Sequence, residues 1–215
     1  MRFVLMALTL ACLGAASNAN AEARGFVYGP LIAYSIPTQD AADALVPRAS
    51  YGVTGTFLES PRRGFGVDIA YHRWPASPDA DRSLDQLLSF VAGESIVGSR
   101  TTVSIVQATL HGKFLAPEWG PVLPWMKVGA GVYRFNSKVA LPIAALQAAG
   151  VRVVTSDPDN ISREFGYQFG AGLDLEIVPD TWLGLDASYH LIVTRGPFFS
   201  AFAIGMCLLT RPRRR

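Results

Sequence analysis

Asp186, Ser188 and His190 are the residue types of a nucleophilic triad, set two apart in Leu185-Asp186-Ala187-Ser188-Tyr189-His190. A triad needs carboxylate, imidazole and hydroxyl within direct hydrogen-bond reach, about 3 Å. On one face of a regular strand, residues two apart stand about 6.6–6.8 Å apart along the chain. The three are therefore not expected to assemble a triad among themselves. No other catalytic motif stands out, and the chain is expected to be a non-enzyme. Three histidines, His72, His111 and His190, are too scattered in sequence to read as a metal site. No cofactor is implied.

A different chemistry accounts for these residues. Asp68, His72, His111, Lys113, Lys127, Asp174, Glu176, Asp186 and His190 each sit in a segment where polar and apolar residues alternate. From Phe165 to Ile177 every odd-numbered residue is apolar, and every even-numbered one is Gly, Gln, Asp or Glu. Strands send successive side chains to opposite faces, so each such segment has a polar and an apolar side. The ionisable residues then share one surface and are expected to pair there as a polar network.

Eight strands are predicted: Gly25–Ile36, Ala49–Glu59, Gly64–Trp74, Thr101–Leu115, Val122–Ser137, Arg163–Val178, Trp182–Thr194 and Phe198–Arg211. Each exceeds the usual globular length of about 5–6 residues and suits a tilted crossing of a bilayer, about 9–11 residues with overhang. Short turns at Ser60–Arg63, Ala116–Pro121 and Pro179–Thr181 alternate with longer links at Pro37–Arg48, Pro75–Arg100 and Lys138–Ser162. The last link, near Arg195-Gly196-Pro197, is short and breaks the rhythm.

The 215 residues suit one domain. Residues 1–21 read as a signal peptide: Arg2, an apolar Phe3–Ala16 and a small-x-small site at Ala19-Asn20-Ala21. The mature domain is expected to run from Glu22 to Arg215. Its 18 basic and 17 acidic residues, after loss of Arg2 from the 19 Lys and Arg, exclude a strongly basic nucleic-acid binder. Cys12 leaves with the signal, so Cys207 has no intrachain disulfide partner. Cys207 is expected to be a small packing residue.

Which face points inward decides between a membrane barrel and a soluble lipid-binding barrel of the periplasm. Glycines concentrate on the polar face, at Gly129, Gly131, Gly166, Gly170, Gly172 and Gly184. They suit a crowded interior better than an exposed strand. That face also lacks the many Lys and Glu of a solvated exterior. Trp74, Trp119 and Trp182 lie at strand ends or turns, where interfacial anchors are expected. The apolar set is therefore assigned to lipid. Sheet edges cannot stay open in hydrocarbon, so the eight strands must close.

With its signal peptide, Pro124–Tyr133, Phe165–Ile177 and Leu183–Leu191, the chain resembles the small eight-stranded outer-membrane barrels of Gram-negative bacteria, the outer-membrane protein A transmembrane domain and its relatives. The resemblance implies a closed, antiparallel, up-and-down transmembrane barrel, all-β, in contact with outer-membrane lipid and inserted by the barrel assembly machinery. Gly205 and Leu208 partly fit the final-strand pattern of that group, while Arg213-Arg214-Arg215 replaces its usual terminal aromatic residue. It leaves open a structural or surface-interaction role and a narrow pore or conduit for small hydrophobic molecules.

Two loops carry helical signals. Ser83-Leu84-Asp85-Gln86 resembles a capping box, followed by Leu84, Leu87, Leu88 and Val91 at helical spacing and by Gly93. Pro142 can start a turn through Ile143 and Leu146 to Gly150. The two apolar stripes are expected to pack together above the barrel mouth. The alternative is that they offer an apolar mouth to a hydrophobic ligand or a surface partner.

Overall fold

The computed structural model describes residues 25–117, 119–152, 160–194 and 198–210. The signal peptide, Cys12, the Glu22 start, Arg195-Gly196-Pro197 and the basic tail Arg211–Arg215 lie outside them.

Eight strands form one closed sheet: β1 Gly25–Thr38, β2 Arg48–Ser60, β3 Arg63–Pro75, β4 Arg100–Leu115, β5 Val122–Ala140, β6 Asn160–Val178, β7 Thr181–Val193 and β8 Phe199–Thr210. Each is antiparallel to the next, and β8 returns to β1 from Tyr28↔Thr210 to Thr38↔Ser200. The expected ends hold within three residues. The largest differences are at the β5–β6 hairpin, which keeps pairing through Asn136↔Ile161 and Ser137↔Asn160. Beyond Phe135 the apolar alternation fades, but the backbone ladder does not need it.

The faces divide as the alternation requires. On β3, Phe65, Val67, Ile69 and Tyr71 are exposed, whereas Asp68, Ala70 and His72 are buried. On β6, Phe169 and Leu173 face out, and Gln168 and Asp174 face in. The inward faces of these strands are therefore polar and the outward faces apolar, the reverse of the arrangement expected of a soluble carrier. The described residues contain no helix long and apolar enough to cross a membrane, so any crossing uses the strands.

Three short helices occupy the longer links: α1 Asp40–Ala44, α2 Pro78–Ala92 and α3 Ile143–Ala148. The residue pattern carries no signal for α1. The α2 cap is Ser77, whose side chain accepts from the Ala80 amide at 3.2 Å; Ser83, the expected cap, instead donates to Asp79 O at 2.9 Å inside the helix. Pro78 follows the true cap at the first helical position, where its missing N–H costs nothing. Gly93 ends α2 at φ 70°, as its freedom from a Cβ allows.

Asp85 of α2 pins the return of the chain to β4. Its carboxylate accepts from the Ser99 amide at 2.9 Å and the Gly98 amide at 3.0 Å. Hydrogen bonds from Ser99 and Gly98 hold its carboxyl below the ordinary value of 3.8. Because the folded value is depressed, the staple is complete above the ordinary value and is lost as pH falls through the folded one. NMR titration should show the Gly98 and Ser99 amide signals moving together in that acid range, and Asp85→Asn should abolish the movement.

Candidate functional site

Asp68 stands at the middle of the lumen with no exposed surface. Its carboxylate accepts from Thr54 Oγ1 at 2.6 Å, Lys127 Nζ at 2.9 Å and Gln168 Nε2 at 3.0 Å. Gln168 in turn accepts from Thr109 Oγ1 at 2.8 Å. Strands β2, β5 and β6 thus each donate to one carboxylate on β3, β4 joins through Gln168, and each donor comes from the inward register of its strand. Lys127 also reaches Asp186 Oδ2 at 2.6 Å, so one ammonium serves two carboxylates.

A second pair lies nearer the short-turn end. Lys113 Nζ donates to Asp174 Oδ2 at 2.7 Å, and Trp125 Nε1 donates to Asp174 Oδ1 at 2.8 Å. The Lys113 ammonium also sits 4.4 Å from the Trp125 ring centroid, a cation–π distance. His111 lies beside the Asp68 cluster: Nε2 is 3.3 Å from Thr56 Oγ1, and Nδ1 stands 3.6 Å from Asp68 Oδ2 without a hydrogen bond.

Towards the long-loop end the lumen turns apolar. Trp74, Ile105, Tyr133, Ile192 and Ala201 close it with Leu45 from the α1 link. The polar atoms there are paired as well. His72 Nε2 faces Gln107 Oε1 at 3.0 Å, and Tyr133 meets His190 Nδ1 at 3.1 Å. An amide oxygen can only accept, so His72 Nε2 carries the proton and Nδ1 accepts from Ser35, 3.2 Å away. The His72 and His190 rings lie 5.8 Å apart. Distant in sequence, they are neighbours across the lumen, while His111 lies near the other end. Among the described residues no group of three or more His, Cys, Asp and Glu side chains is placed to hold a metal ion.

The structure corrects several expectations. Ser188 does donate to Asp186: strand spacing is measured along the backbone, and two side chains leaning together close it. His190 takes no part, so the triad is still unformed. Glu176 is exposed at the short-turn rim, outside the hydrogen-bonded cluster. Trp74 is not an interfacial anchor. It is buried in the lumen, stacked on His72 at 5.4 Å with Nε1 donating to Ser35 O at 3.1 Å. Trp182 also faces inward and packs against Val27, Cys207 and Leu209; Trp119 is exposed. Trp125, missed as a lumen residue, shares odd parity with Lys127, and Trp74 shares even parity with His72. Register places both side chains inward.

The loop stripes divide too. Leu146 is buried, Leu84 and Leu88 are half-buried, and Leu87, Val91 and Ile143 are exposed. The principal helical neighbour of α2 is α1 rather than α3. Ser77 Oγ donates to Asp43 O at 2.9 Å, and the Ser77 amide donates to Ala44 O at 2.8 Å.

A closed eight-stranded ladder, an apolar exterior and an ion-paired interior define the molecule. No family model and no curated protein matches the sequence. Solved structures do match the fold. Neisserial surface protein A superposes with a TM-score of 0.54 at 13% identity, covering 87% of this chain and 97% of its own. The outer membrane protein OprG from Pseudomonas aeruginosa also gives 0.54 at 13%, covering 89% and 97%. The outer membrane protein AlkL, solved in lipid bilayers, gives 0.51 at 12%, covering 93% and 95%. The chain has the eight-stranded outer-membrane barrel fold.

In an outer-membrane barrel of this size the interior is just wide enough for its own side chains, and glycines make that filling fit. A Cβ added at Gly172 would stand 2.0 Å from Leu185 O and 2.3 Å from Trp125 Cζ2. Gly172→Ala should therefore displace the Trp125 indole and cost about 1–3 kcal/mol, read by urea unfolding in lipid. Lys127→Met leaves Asp68 and Asp186 without their shared cation and should cost about 3–5 kcal/mol. Thr109→Val, which removes one neutral donor, should cost less in the same assay.

Proposed function

We propose that the chain is an integral outer-membrane barrel with a structural and surface-interaction role and no catalysis, exported by its N-terminal signal. The observation that carries this reading is the occluded lumen. Trp74, Ile105, Tyr133 and Ile192 are each at most 2% exposed at its long-loop end. Below them, the cavity between His72, Lys127 and Asp186 holds about 20 Å³, room for about one water. A transmembrane water column does not fit such an interior. The surface role is supported by α2, which turns Leu87, Phe90 and Val91 to solvent above the barrel. An exposed apolar helix face of this kind suits a partner at the cell surface.

Planar bilayers containing the purified barrel should stay silent; steady single-channel steps would overturn the occluded reading. A second reading, a receiver of small hydrophobic molecules, is favoured by one observation. An apolar cleft of about 500 Å³ opens at the long-loop mouth between α1, Val103, Phe135 and Phe199. If that cleft is used, a solvatochromic dye should bind the barrel and lose affinity roughly tenfold in Phe135→Ser. Leu87→Asp/Leu88→Asp should leave dye binding unchanged, because those side chains lie outside the cleft.

A further inference from the structure

The short-turn end of the lumen holds a cavity of about 260 Å³ that none of the roles above uses. Its collar is apolar, with Val27, Leu31, Leu58 and Leu209 among the lining residues. Its floor is ionic. Lys113, Lys127, Asp174 and Asp186 all line it.

Counted with Asp68, which shares Lys127 from the layer behind, the charges at that floor do not balance. Lys113 is matched to Asp174 at 2.7 Å. Lys127 is divided between Asp68 at 2.9 Å and Asp186 at 2.6 Å. Three carboxylates therefore face two ammonium groups, one negative charge more than the lysines match. Uncompensated charge is costly away from water, where Coulomb interactions are screened least. The two carboxylates that share Lys127 are not equivalent. Asp68 is sealed among Thr54, Gln168 and His111, but the Asp186 side chain keeps 11% of its surface and lines the cavity. At the rim, exposed Glu176 adds a further negative charge. His111 lines the same space, and its buried Nδ1 has no hydrogen-bond partner.

The geometry points to a binding site for a small amphipathic cation, a primary alkylammonium whose head meets Asp186 and whose chain lies in the apolar collar. The ammonium supplies the missing positive charge and N–H donors; the hydrocarbon covers Leu31, Leu58 and Leu209. An alkyl carboxylate of the same length would instead add a fourth anion beside the two lysines. The volume sits just below the range of about 300–1,000 Å³ usual for small-molecule pockets, so the chain of the ligand is short.

The test uses the whole barrel in nanodiscs of neutral lipid, with empty nanodiscs subtracted. Hexylammonium, hexanoate and hexanol are titrated while the fluorescence of Trp125 and Trp182, which line the cavity, is followed. Hexylammonium should bind saturably and at least tenfold more tightly than the other two. Asp186→Asn should reduce that preference below threefold. Leu58→Trp, which fills the collar and leaves the ion pairs intact, should weaken hexylammonium at least fivefold. Equal affinity for hexylammonium and hexanoate overturns the proposal. So does a preference that survives in folded Asp186→Asn, or hexylammonium binding that is undiminished by Leu58→Trp.

Discussion

Closure of β8 on β1 is the constraint from which the rest of the molecule follows. A sheet in hydrocarbon has no water with which to satisfy an open edge, and each unpaired group costs several kcal/mol. The ladder from Tyr28↔Thr210 to Thr38↔Ser200 removes that edge. Once the strands close at eight, the interior is narrow, and every inward side chain must fit beside seven other walls. Gly129, Gly131 and Gly172 lie where a Cβ would strike neighbouring backbone. The inward charges have to find one another because the closed wall offers them little else.

The lumen is consequently layered. At its centre and towards the short turns, charged groups are bonded across the axis rather than along the wall: Asp68 on β3 meets Lys127 on β5. Towards the long loops, aromatic and aliphatic side chains replace ions. Leu45, Trp74, Ile105 and Ile192 exclude water there, while His72 and His190 keep their hydrogen bonds within the same layer. The two layers do different work: the ionic one ties strands together, and the apolar one seals.

Much of this was legible in the residues. A period of two carries both strand type and facing, so the alternation through Phe165–Ile177 and Val122–Ser137 located β6 and β5 and turned Asp174 and Lys127 inward. Pro, Gly and Asp located the turns; Gly120 and Asp180 indeed have positive φ there. What the sequence hid was partnership. Parity says that Asp68, Lys127 and Asp186 share a face, but not that one lysine bridges both aspartates, since strand stagger around the barrel decides which levels meet. Tryptophan was misread for a related reason. Its preference for interfaces is a tendency of type, whereas Trp74 and Trp182 obey the register of their strands. The short helix α1 escaped notice because five residues carry too little periodicity to register.

The strands are unequal in length, and the inequality has a direction. β5 and β6 each have 19 residues, whereas β8 has 12. At about 3.4 Å per residue, the longer pair spans about 65 Å of chain. With the tilt of about 35–45° usual in such barrels, that is roughly 50 Å of height, about twice an apolar band of some 25 Å. The β5–β6 hairpin must therefore rise as a parapet on one side of the mouth, with the shorter strands opposite it, β1 and β2, left low. The rim on that face is a one-sided shelter rather than a ring.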